Sequence, residues 1–131
     1  MPYHQNIVNL TNNNNLFRQV LFTGERSQLV VMCIPPGGEI GAEVHHHVEQ
    51  VLVFVNGTGE SIMDGVKQPV AGGDVVIVPP GIKHNFVNTG KVPLKLYTVY
   101  APPNHIDGRV HRTKAEADAD TEDEAFGESR T

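Results

Sequence analysis

Tryptophan is absent from the 131 residues, and cysteine occurs once, as Cys33. A lone cysteine excludes an internal disulfide and suits a reducing compartment, so a cytoplasmic protein is expected. No run approaches the roughly 18 to 20 apolar residues that a membrane-spanning helix needs, and no membrane role is expected. The opening Met-Pro-Tyr-His-Gln-Asn lacks the basic-then-apolar order of a secretory leader. Positive charge is scarce: 10 Lys and Arg stand against 15 Asp and Glu, with no basic stripe, which argues against nucleic acid as a partner. No glycine-rich loop leads into a helix to cradle phosphate, and nothing suggests a Ser/His/Asp or Cys/His arrangement.

The negative charge is unevenly placed. From Lys114 onward, seven acids (Glu116, Asp118, Asp120, Glu122, Asp123, Glu124 and Glu128) face only Lys114 and Arg130, a balance equal to the whole chain's −5. The preceding residues are neutral in sum. The simplest expectation for this end is a solvated tail.

What the chain does contain is turn formers and β-branched runs. Hydrophobic content of 39% with 13 Gly and 9 Pro suits one all-β domain with many tight turns. Residues 1 to 16, with the run Thr11-Asn12-Asn13-Asn14-Asn15, read as an N-terminal arm without regular structure. Alternation begins at Phe17, and Gln28 to Ile34 looks like a strand covered on both faces. Further strands are expected near Glu43–His47, Gln50–Val55, Glu60–Met63, Val66–Val70, Val75–Val78, His84–Val87 and Leu94–Tyr100. Their spacing of 8 to 12 residues is that of a sandwich or barrel. Asp64-Gly65 marks a two-residue hairpin, and Ala101-Pro102-Pro103 ends ladder pairing. The barrel is thus assigned to residues 17 to 103, followed by a C-terminal extension, 104 to 131. Within the extension a short helix is expected from Thr113 to Ala119, capped by Thr113.

Two stretches carry chemistry. The first, Glu43 to Gly59, places Glu43, His45, His46 and His47 ahead of an apolar run. The second, Gly73 to Asn88, supplies His84 behind a Pro-Pro-Gly turn. Gly73-x5-Pro79-x-Gly81-x2-His84-x3-Asn88 resembles the second cupin motif without a mismatch. The first cupin motif is met with substitutions, as Gly37-x5-Glu43-x-His45-x4-Gln50-x6-Gly57. Glu43 stands where the family has its first histidine, and Gln50 where it has its glutamate. The chain also looks like small bacterial single-domain cupins of mostly unassigned function, which share its Leu96 to Pro103 exit.

The resemblance implies an antiparallel double-stranded β-helix, a jelly-roll barrel, that pairs as a homodimer. It also implies one divalent transition metal (Fe, Mn, Ni, Co or Zn) held by Glu43, His45, Gln50 and His84. Strand alternation puts Glu43, His45 and His47 on one face, so His47 remains an alternate ligand. A further register, through Val44 and His46, meets the spacing but offers a valine. Glu43 as a rim carboxylate, and Gln50 as a residue that only orients a ligand, also stay open. Two imidazoles and a carboxylate with open positions suit such a metal as a Lewis acid, and the resemblance implies dioxygenase, isomerase or lyase chemistry on a small sugar-derived or aromatic molecule. The alternative is a binding or sensing cupin whose metal is structural.

The interior is expected to be apolar, lined by Met32, Ile34, Leu52, Phe54, Ile77, Phe86, Tyr97 and Val99. Tyr97 and Tyr100 are the candidates for an acid or hydrogen-bond donor, the alternative being packing. Glu49 is expected to face solvent. His4, His105 and His111 are read as ordinary hydrogen-bonded or surface residues, and Gly57 and Gly81 as the turns that set strand register.

Overall fold

Nine strands and three helices account for the regular structure of the computed structural model, which describes residues 1–129. Arg130, counted with the tail above, lies outside the described residues. The strands are β1 (Arg18–Thr23), β2 (Gln28–Ile34), β3 (Glu49–Asn56), β4 (Thr58–Met63), β5 (Val66–Ala71), β6 (Val75–Val78), β7 (His84–Val87), β8 (Leu94–Ala101) and β9 (Val110–His111). The helices are α1 (Ile7–Asn13), α2 (Lys114–Ala119) and α3 (Thr121–Glu128). One sheet runs β6-β3-β8-β2-β1-β9 and the other β5-β4-β7, and every strand pairing among the described residues is antiparallel. This is the expected jelly-roll architecture.

Strand alternation decides what faces the core between the sheets. On β8, Leu94, Leu96, Thr98 and Tyr100 are buried, while Lys95, Tyr97 and Val99 are half-buried on the other face. On β3 the inward set is Gln50, Leu52 and Phe54. Met32, Ile34 and Phe86 complete the packing, and Phe54 and Phe86 meet at 5.7 Å between ring centroids. The expected lining is therefore corrected at three positions. Tyr97 and Val99 have the opposite parity to the core residues of their strand, and Ile77 is 55% exposed on an edge strand.

Gly57, at φ +95°, turns β3 into β4 so tightly that a Cβ there would stand 2.6 Å from the Pro93 carbonyl. Only glycine accommodates both the angle and the approach.

Three segments differ from expectation. The N-terminal arm contains α1, capped by the Asn6 side chain, which accepts from Asn9 N–H at 3.0 Å. Propensity alone would not form so short an asparagine-rich helix. It forms because it packs on β2, β3 and β8, and because Lys95 donates to the Asn12 carbonyl at 2.7 Å near its end. That packing explains why β2 is covered on both faces.

Glu43–His47 is not a strand. Residues 38 to 43 run beside β7 through isolated bridges, and the chain then bends at His46 and His47. The acidic end is not a free tail either. The expected helix is present as α2, with Thr113 accepting from Glu116 N–H at 3.1 Å. A further helix, α3, follows it and buries Asp123. Strand β9 also returns to pair with β1.

Candidate metal centre

The site begins with backbone pairing. Glu43 and His84 exchange both N–H···O bonds, each 2.9 Å, so their side chains leave the sheet on the same face. Gly81, at φ +88°, then donates its N–H to the His45 carbonyl at 2.7 Å. The Pro-Pro-Gly turn thus holds the chain two residues past Glu43, and alternation brings His45 back to that face. The result is a cluster in which one ligand atom each from Glu43, His45 and His84 lies within 4.8 Å of the others. The two imidazoles are 5.2 Å apart between ring centroids.

His84 Nδ1 lies 2.9 Å from the Ile82 carbonyl and so carries its proton toward it, leaving Nε2 with a lone pair. Burial pushes this imidazole below its ordinary value, outweighing the opposing pull of that carbonyl, and keeps the ring neutral. His45 is buried, and its Nε2 comes 3.0 Å from Glu43 Oε2 without making a hydrogen bond. Glu43 is 37% exposed in its side chain, so it reaches from the cluster into the cavity mouth. Burial works against its ionisation. His45, with the charge of Arg18, outweighs that effect and holds the carboxyl down to about 2.

Gln50 is 3% exposed on β3, opposite Tyr100 of β8 and Val78 of β6. Its Nε2 donates to Thr98 Oγ1 at 3.1 Å, and that hydroxyl donates to the Val51 carbonyl at 2.9 Å. The chain of donors fixes which end of the amide is which, and Gln50 Oε1 has no hydrogen-bond partner.

Do these residues fit a divalent cation? Buried Gln50 Oε1 has no hydrogen-bond partner, and buried His45 Nε2 has only the Glu43 carboxylate beside it at 3.0 Å, an arrangement that costs energy unless something else binds those atoms. The donor types are imidazole, carboxylate and amide oxygen, the set that suits first-row divalent metals. They fit.

The alternates fare differently. His46 and His47 are exposed beyond the bend, and neither joins the cluster. His47 as a ligand is corrected because the chain leaves the extended conformation that alternation requires. Val44 is exposed as well. Glu49 faces solvent, as expected. Asn88 of the second motif is a staple: its amide donates to the Ile34 and Val92 carbonyls, each at 2.9 Å.

Tyr100 is 1% exposed and sits 6.2 Å from the His45 ring. Burial pushes its phenol well above the ordinary range, so it stays protonated. Tyr97 lies on the outer face, between Val31 and Val53.

A cavity of about 500 Å³ opens above the cluster, and its lining includes Phe17, Arg18, Glu43, His45, His105 and Asp123. It is more charged than the expected apolar pocket, because residues of α2 and α3 wall its outer side. His105 is buried, with Nδ1 2.7 Å from Asp123 Oδ2. Burial lowers its pKa, the Asp123 bond notwithstanding, so the pair is neutral imidazole with ionised carboxylate. Arg18 and Thr98 were also missed. A charge on the buried parity of β1 was the one signal that pointed to Arg18; nothing local marked Thr98.

Residues 30–100 match the family described as Cupin domain, more than half of the chain. The chain belongs to the cupin family. It is 43% identical over 122 residues to Uncharacterized protein YrkC of Bacillus subtilis, covering 88% of this chain and 66% of that protein. The chain thus spans about two thirds of that relative. Among solved structures, BH2720 of Bacillus halodurans has a TM-score of 0.89 at 40% identity, covering 91% of this chain and 95% of that one. A Thermotoga maritima protein described as a predicted oxalate decarboxylase has a TM-score of 0.57 at 25% identity, covering 60% and 69%.

Proposed function

We propose that this cupin is a divalent-metal-dependent enzyme of the dioxygenase, isomerase or lyase type, acting in the cytoplasm on a small sugar-derived or aromatic molecule. The observation that supports the reading is the convergence of Glu43, His45 and His84, with buried Gln50 Oε1 lacking a hydrogen-bond partner. Glu43, His45 and His84 would hold Fe, Mn, Ni, Co or Zn, and Gln50 Oε1 would add an amide oxygen. Bound there, the metal supplies a Lewis acid that polarises a substrate oxygen. His84 keeps its ligating lone pair through the Ile82 carbonyl, and Thr98 keeps Gln50 oriented. Buried Phe86 of the hydrophobic core lies 6.2 Å from the His84 ring between centroids and gives the cluster an apolar neighbour. The solved neighbour described as a predicted oxalate decarboxylase is consistent with an enzyme on this fold, although fold alone does not assign chemistry.

Tag-free protein is expected to carry close to one metal per chain by elemental analysis, and His84→Ala nearly none. Equal content in both defeats the site. Turnover of a panel of sugar-derived and aromatic compounds by loaded protein, with and without O₂, tests the catalytic part.

The second reading is a binding or sensing cupin with a structural metal. Gln50 in place of the family's glutamate favours it. An exchangeable water on the metal, read by water-proton relaxation of Mn(II)-loaded protein, would speak for the enzyme.

A further inference from the structure

Arg18 carries a charge in the cavity that acts on Glu43 at a distance, without an ion-pair contact. It stands on β1, is 6% exposed and lines the same cavity as Glu43 and His45. Its guanidinium lies 5.2 Å from the centre of the Phe17 ring, and its Nε has no hydrogen-bond partner. Among the described residues it forms no ion pair. The two nearby acids are engaged elsewhere. Glu43 contacts His45, and Asp123 accepts from both His105 and the Ile106 N–H at 2.7 Å. Arg18 acts on both carboxylates and neighbours the Tyr100 phenol, yet a guanidinium removed from water with no anion in direct contact is costly.

We propose that Arg18 anchors a carboxylate of the ligand, so that the substrate class is small monocarboxylic acids. This deepens the metal-dependent reading and rests on it for the other end of the ligand, while the carboxylate end rests on the place of buried Arg18 in the cavity wall. A planar carboxylate also matches the guanidinium fork. A phosphate would want more donors than one arginine offers, and the acids of α2 and α3 that line the cavity, Asp118 and Glu124, oppose a dianion more than a monoanion. Asp118 is itself held by Lys114 at 2.7 Å.

The test uses the full chain, zinc-loaded and zinc-free, with propionate, propionamide and inorganic phosphate as probes, read by saturation-transfer NMR and calorimetry. Propionate is expected to bind both forms, and propionamide neither at the same concentrations. Arg18→Gln should weaken propionate by about tenfold or more while zinc uptake is unchanged, and Arg18→Lys should fall between. Wild-type affinity in Arg18→Gln overturns the proposal. So does propionate binding that disappears with zinc, since the metal alone would then hold the carboxylate. Phosphate displacing propionate at lower concentration overturns the carboxylate assignment. Should Arg18→Gln not fold, the acid–amide comparison in zinc-free wild type decides, and equal binding of the two sinks the idea. If wild type takes up no zinc yet binds propionate through Arg18, the metal reading falls and this one stands.

Discussion

At the scale of single residues, the site is defined by which atoms are already committed. His84 spends Nδ1 on Ile82, and Gln50 spends Nε2 on Thr98, so each presents one atom of known type. Thr98 matters through Gln50 rather than through any ligand. Replacing it with valine keeps the shape but removes the hydroxyl that distinguishes the two ends of the amide. If Gln50 belongs to the ligand set, Thr98→Val should weaken metal affinity about tenfold or more, the usual effect of losing an outer partner. Competition against a chelator of known affinity measures this, and an unchanged affinity would remove Gln50 from the set.

At the scale of elements, the C-terminal extension is joined to the barrel by the pairing of β9 with β1 and is held together by two histidine–aspartate pairs. His111 of β9 meets Asp120 at 2.8 Å, and Asp120 also caps α3 by accepting from Asp123 N–H. His105 meets Asp123, which α3 carries into the cavity wall. Asp123→Ala would leave buried His105 Nδ1 and the Ile106 N–H without partners. The expected cost is about 3 kcal/mol, measured by urea unfolding. A pH dependence follows from the same pair. His105 has a folded pKa below its ordinary 6.5, because burial disfavours the imidazolium. The unfolded chain therefore binds this proton more readily, and the contribution is complete above 6.5 and is lost as pH falls toward the folded value. Asp123, lowered from 3.8, contributes above that value and loses its contribution as pH falls through its folded pKa. Melting temperature should accordingly drop on acidification below about pH 6.5. A rise between pH 7 and 5.5 would contradict the neutral-imidazole assignment.

At the scale of the whole molecule, the cavity wall and the outer edges divide the remaining roles. Among the described residues no helix is long and apolar enough to cross a membrane. One end of each sheet is β5 or β6, whose outer edges are unpaired among the described residues and carry exposed Val66, Val75 and Ile77. Unpaired edges with β-branched side chains invite pairing with another chain. We propose a homodimer joined through these edges, in line with what the cupin resemblance implies. Light scattering should return twice the chain mass, and Ile77→Lys should return the monomer. A monomeric wild type at micromolar concentration would refute this.

The local pattern alone determined the fold class, most strand positions and the motif residues Glu43, His45, Gln50 and His84. Alternation, turn chemistry and ligand spacing are properties of neighbouring residues, so they can be read along the chain. The parity of β8 was legible too, but it was assigned to the wrong face at Tyr97 and Val99, because two half-apolar faces look alike until a second sheet covers one. Only the tertiary structure decided that His47 swings out, since a bend follows from pairing with β7 and not from the residues around it. It likewise decided that α1 forms, that the acidic end is a wall rather than a tail, and that Arg18, Thr98, His105 and Asp123 meet the site. Those contacts join residues dozens of positions apart, and their energy comes from burial and partnering that no window of sequence contains.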